Sequence, residues 1–182
     1  MEELTLLGER AVQAKYELQR MTTEKKNEVL EAVAEALIQN TEYLLLENQK
    51  DLERGIANQM NPGLVDRLRL TKERIAGMAE GIRQIVKLPD PVGEILDDYE
   101  AENGLHIVKK RVPMGVIGII YESRPNVTAD AFGLCFKSGS AVILKGGSDA
   151  IRSNMAITKV IQEAVVRKGA DPYVIQLIES TD

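Results

Sequence analysis

The 182-residue sequence predicts an α/β fold in which amino-terminal helices and a β-hairpin precede half of a doubly wound parallel sheet. Three observations carry that expectation. The first ninety residues keep the helical spacing of apolar side chains, and a segment around Asn103-Gly104 switches to an extended pattern. From Gly115 onward, apolar runs alternate with helical stretches in the order β-α-β-α-β.

In "TTEKKNEVLEAVAEALIQN", Val29, Ala32, Val33, Ala36 and Leu37 recur at i, i+3, i+4, i+7 and i+8, which predicts a helix with one apolar stripe behind a Thr22 or Thr23 cap. A further helix is predicted over 42–57. Pro62 and Gly63 in "NPGLVDRL" break the pattern, and Thr71 then caps a helix in which Ile75, Met78, Ala79, Ile82, Ile85 and Val86 share a face. Core packing explains each stripe, since none carries a chemically unusual residue. Residues 1–90 form the helical part of this reading.

Residues 91–113 read as a hairpin, because Asn103-Gly104 readily takes the positive backbone angles of a tight turn. Its second strand carries Lys109, Lys110 and Arg111 together. It is therefore expected to arch over solvent or to meet another subunit. His106 on this hairpin reads as a solvated surface histidine.

Residues 114–182 form the βαβαβ segment. The stretch 115–120 holds only Gly, Val and Ile, which suits a strand buried on both faces. A helix over 128–137 ends at "KSGS", a second strand spans 141–144, and "KGGSD" opens a helix over 149–167 that Gly169 closes. "ADP" leads into a third strand over 174–178. Ligands of such a sheet lie at the carboxyl ends of its strands, and the two unusual loops, "YESRPN" and "KGGSD", both fall at that edge.

Composition narrows the function. A net charge of -5 with dispersed basic residues and only 4% aromatics argues against nucleic acid. The longest apolar runs fall far short of the roughly 20 residues of a membrane span, and "MEELTLLGER" lacks the pattern of a signal peptide, so the cytoplasm is the expected location. One cysteine allows no internal disulfide, and one histidine argues against zinc, so no metal is expected.

The glycines do not spell G-x-G-x-x-G, because Gly115 and Gly118 stand within the strand. A nucleotide site of another kind centres on Lys145, which leaves the second strand and is followed by Gly146, Gly147 and Ser148. A backbone without Cβ lets a ligand approach closely, and a cation at that strand end can bind ribose hydroxyls or a 2′-phosphate. On spacing alone, a solvated lysine before a Gly-Gly turn is the better supported reading. Arg124 could hold the carboxylate or phosphate of an acidic substrate, or pair with Glu122. Asn126 could form an Asx turn or helix cap.

The run "VPMGVIGIIYESRPNVTADAFGLCFKSGSAVILKGGSDA" closely resembles the nucleotide-binding region of the γ-glutamyl phosphate reductases, a branch of the aldehyde dehydrogenase superfamily, and "YESRPNVT" is specific to that branch. The resemblance covers essentially the whole chain. It implies an enzyme that reduces L-glutamate 5-phosphate with NADPH to the 5-semialdehyde and phosphate, toward proline. A cysteine thiolate would displace phosphate to form a thioester, with donors aimed at each oxyanion. It implies that Asn126 is one such donor, that Lys145, Gly146, Gly147 and Ser148 meet NADP(H), and that the hairpin joins subunits of a homo-oligomer. Ser148, where relatives that favour NAD carry a glutamate, favours NADP.

Cys135 lies on the apolar side of a helix and does not match the family's nucleophile, which belongs to a catalytic domain absent from this chain. The chain is therefore expected to be an amino-terminal fragment, inactive alone. Two alternatives remain open at this point: a non-catalytic binding or assembly module, and another acyl reductase of the same superfamily.

Overall fold

Five helices lead into the sheet: α1 (Glu2–Leu18), α2 (Thr23–Gln39), α3 (Thr41–Ala57), α4 (Pro62–Leu68) and α5 (Lys72–Lys87). The structure, a computed structural model, describes residues 2–180. Threonine capping is as expected: the Thr22 hydroxyl accepts from the Lys25 amide, and that of Thr71 from the Arg74 amide. "NPGLVDRL" departs from the expectation. Pro62 does separate two helices, but it also starts the short helix α4, where a missing N–H costs nothing and Asn61 Oδ1 caps the Gly63 amide.

Helices α2, α5 and α6 (Asn126–Lys137) are pinned by two buried lysines. Lys26 Nζ lies 2.5 Å from Asp90 Oδ2 and donates to the Lys137 carbonyl. Lys137 Nζ in turn donates to Asn27 Oδ1 and to the Val86 carbonyl. Burial pushes the Asp90 carboxyl up, but hydrogen bonds from Lys26, the Val92 amide and Thr23 outweigh it and hold the group below the ordinary carboxylate range.

The hairpin is present as β1 (Ile95–Glu100) and β2 (His106–Lys110), antiparallel, with a bulge between Ile95 and Asp97. Its turn is longer than a bare Asn-Gly pair. The Gly104 amide donates to the Ala101 carbonyl, the Ala101 amide donates to that of Leu105, and only Gly104 takes positive φ, at 80°. Every residue of both strands is exposed.

The sheet has the order β3-β4-β5, all parallel, from β3 (Val116–Ile120), β4 (Ala141–Lys145) and β5 (Ile175–Leu177). Helix α6 joins β3 to β4, and α7 (Ile151–Arg167), entered through a 3-10 turn at Ser148–Ala150, joins β4 to β5. One expectation fails here. The strands buried on both faces are β4, with Ala141, Val142 and Leu144 fully buried, and β5, whereas Ile120 of β3 is 87% exposed. The reason is the helix cover: among the described residues β3 and β5 both pair with β4 alone, but α1 and α7 pack on β5 while little beyond α1 reaches β3, so only its Ile117 and Ile119 face meets the core.

Candidate functional site

The carboxyl ends of β3 and β4 are stitched together before the loops diverge, since the Tyr121 amide donates to the Lys145 carbonyl at 3.0 Å. Behind that junction lies a buried polar chain. The Tyr121 hydroxyl is 2.7 Å from Thr128 Oγ1, which donates to Asn154 Oδ1 at 3.2 Å, tying the exit of β3 to the first turns of α6 and α7. Burial raises the Tyr121 phenol, with the Thr128 hydrogen bond opposing, so the group stays a neutral donor. Asn154 Nδ2 is buried and has no hydrogen-bond partner among the described residues.

This packing places its own demand on the glycines. A Cβ on Gly146 would stand 2.2 Å from Asn154 Nδ2 and 3.1 Å from the Tyr121 ring; on Gly147 it would stand 2.4 Å from Ser123 Oγ. The space that the Gly-Gly pair leaves open is therefore filled by this chain's own atoms. Gly146 and Gly147 let the "KGGSD" loop lie flat on the "YESRPN" loop, a tertiary demand that no local spacing reveals.

Lys145 ends β4, and its ammonium donates to the Ser180 carbonyl. Ser148 is exposed at the start of the 3-10 turn. Asp149 turns its carboxylate toward the other loop, accepting from Ser123 Oγ at 3.4 Å. Two residues of α3 that sequence reasoning did not single out hold this loop from behind. Arg54 donates to the Ser148 carbonyl at 2.7 Å and to that of Asp149 at 2.9 Å. Asp51, fully buried, accepts from Arg54, from the Arg152 and Ser153 amides, and from Ser153 Oγ. Its carboxylate thus occupies the amino terminus of α7. Desolvation raises the Asp51 carboxyl, with those hydrogen bonds opposing. In the sequence both residues lie on an ordinary amphipathic helix.

Asn126 is the first residue of α6, so the helix begins two residues earlier than the spacing predicts, and Asn126 is neither an Asx turn nor the cap. Its Nδ2 donates to Asp130 Oδ2 at 3.1 Å, one turn along the helix. Burial raises the Asp130 carboxyl, and the Asn126 hydrogen bond partly offsets this. Arg124 and Glu122 form a loose pair at 3.8 Å, both side chains largely exposed.

Asn126, Arg124 and Asp130 share a cavity of about 420 Å³ with Arg67, Arg69 and Arg74 of the α4–α5 region. Arg74 is committed to Asp66. Among the described residues, Arg67 and Arg69 form no ion pair. Arg67 and Arg124 also line a smaller adjoining cavity with Ser123 and Asp149. The result is a cationic recess beside Asn126 in a chain of net charge -5. A larger cavity of about 570 Å³, between α1, α3 and α7 along β5, contains none of the residues that the sequence singled out. Cys135 is buried, and desolvation pushes its thiol up to about 11, the opposite of an activated nucleophile.

Comparison with known proteins gives concordant results. The profile of the aldehyde dehydrogenase family matches residues 2–182. A γ-glutamyl phosphate reductase of Lachnospira eligens is 53% identical over 182 residues, covering all of this chain and 44% of the relative. The crystal structure of the γ-glutamyl phosphate reductase of Thermotoga maritima superposes with a TM-score of 0.96 at 40% identity, covering 99% of this chain and 44% of that one. That of Saccharomyces cerevisiae gives 0.90 at 29%, covering 97% and 46%. The chain thus spans less than half the length of these relatives.

Proposed function

The chain belongs to the aldehyde dehydrogenase family, and on that premise we propose that its residues supply the nucleotide-side part of a cytoplasmic γ-glutamyl phosphate reductase. The reaction is the NADPH-dependent reduction of L-glutamate 5-phosphate to L-glutamate 5-semialdehyde and phosphate, in proline biosynthesis. The observation that carries this reading is identity of about half over the whole chain with proteins of that name, 53% in one relative.

The residues at the strand edge fit a nicotinamide dinucleotide. Lys145 and Ser148 offer a cation and a hydroxyl at the end of β4, where a doubly wound sheet presents a ribose. Asp149 is engaged with Ser123, so its charge is turned from a phosphate beside Lys145. When bound, the cofactor supplies the hydride. Lys145 neutralises a 2′-phosphate and Ser148 donates to it, while Arg54, through the carbonyls of Ser148 and Asp149, keeps the loop in place. Asn126 donates its amide to the oxyanion that develops on the acyl carbon, leaving Asp130 to do so. The thiolate must come from outside these residues, because Cys135 is buried and protonated. The exposed hairpin joins copies of the chain.

The test is NADPH oxidation with L-glutamate 5-phosphate by the complete enzyme. Turnover is expected, and its absence would contradict the reading. Lys145→Ala should raise KM for NADPH at least about tenfold and that for NADH much less, since a charged hydrogen bond is worth about 1.5–3 kcal/mol. Equal losses with both cofactors would mean that Lys145 holds something other than the 2′-phosphate.

A further inference from the structure

We propose that the cavity beside Asn126 is a head-group site for an acidic α-amino acid, in which Asp130 takes the ammonium and Arg67 and Arg69 take the α-carboxylate. The inference rests on the functional reading above and assigns roles that it leaves open. Its starting point is an unbalanced set of charges. Asp130 is half-buried in a recess lined by four arginines, yet among the described residues no cation pairs with it, and its side-chain partner is Asn126. Among the described residues Arg67 and Arg69 likewise form no ion pair. A carboxylate and two guanidiniums that line one cavity without neutralising each other present both signs to whatever enters. A ligand carrying an ammonium and a carboxylate on one carbon answers both. A simple dicarboxylate leaves Asp130 desolvated and uncompensated.

Spacing along α6 supports the assignment. Side chains at i and i+4 leave a helix about 5–6 Å apart at Cβ, so Asn126 and Asp130, whose tips meet at 3.1 Å, can part to that distance once Asn126 turns away. In an extended glutamyl chain, four covalent bonds separate the acyl carbon from the amino nitrogen, roughly 5 Å. A substrate with its acyl oxygen on the Asn126 amide therefore places its ammonium at Asp130. Arrival of that cation also replaces the partner Asp130 loses when Asn126 turns to the acyl group. The raised carboxyl of Asp130 would then return toward its ordinary range, as the charged form gains a counter-ion.

The experiment is a calorimetric titration of the complete enzyme, without cofactor, with three unreactive probes: L-glutamate, glutarate, which lacks the ammonium, and γ-aminobutyrate, which lacks the α-carboxylate. L-Glutamate should bind at least about tenfold more tightly than either. In Asp130→Asn, which preserves shape, L-glutamate should lose its advantage over glutarate, while glutarate itself binds as well as before or better. In Arg67→Gln and Arg69→Gln it should fall toward γ-aminobutyrate. L-Glutamate binding no tighter than glutarate, or equal weakening of all three probes in Asp130→Asn, would overturn the proposal. If the wild-type enzyme still reduces L-glutamate 5-phosphate in that event, the head-group assignment fails alone; no turnover at all would remove the functional reading on which it rests.

Discussion

At Gly146 one hydrogen stands where any other residue would place a carbon 2.2 Å from Asn154 Nδ2. Gly146→Ala should therefore cost about 1–3 kcal/mol, as overpacking of a filled site does. Gly118→Ala, where a new Cβ meets nothing within 4 Å, should change stability little. Denaturant unfolding of the two variants checks the contrast, and equal midpoints would contradict the packing role. Where single residues stand was legible for Lys145, which ends β4, and for Asn126, which follows β3 and opens α6. Asp51, Arg54 and Asp130 were not, because each is a common polar residue on a helix whose importance comes from what the fold sets against it. The glycines also meet a packing demand that spacing does not show: a Cβ on either would press on Tyr121, Asn154 or Ser123.

Between elements, the Lys26–Asp90 pair clamps α2 to the segment that leaves α5, and removing one member of such a buried pair costs about 3–5 kcal/mol. The folded-state carboxyl of Asp90 lies below its ordinary value, so its contribution is present above the unfolded pKa and lost as pH falls through the folded one. Unfolding free energy of the wild type should drop below about pH 4, and Asp90→Asn should flatten that slope. Asp51 and Asp130, raised by burial, act with the opposite sign in both proteins, so the difference between the two curves isolates Asp90. Parallel curves would contradict the assignment. Helices with an apolar stripe and a threonine cap, and the hairpin at Asn103-Gly104, could be read from local pattern because local pattern forms them. The start of α4 at Pro62 could not, since proline both breaks one helix and opens another. Nor could the exposure of β3: an all-apolar strand reads as buried on both faces, whereas burial is decided by which strands and helices become its neighbours.

For the molecule as a whole, apolar surface concentrates on the hairpin and at the open edge of β3. Val112 is 75% exposed, Met114 86% and Ile120 87%, beside a row of strand groups with no ladder partner among the described residues. Such an edge invites pairing. Light scattering should therefore report association above the 20.1 kDa of one chain, and a stable monomer at high concentration would count against it. The proposed chemistry places an oxyanion donor, the Asn126 amide at the start of α6, before an acyl group. It is tested most directly by kcat for NADPH-dependent reduction of L-glutamate 5-phosphate in the complete enzyme bearing Asn126→Ala. Loss of the donor should lower kcat about 100- to 1,000-fold and leave KM for NADPH near its original value; a kcat equal to that of the wild type would contradict the account.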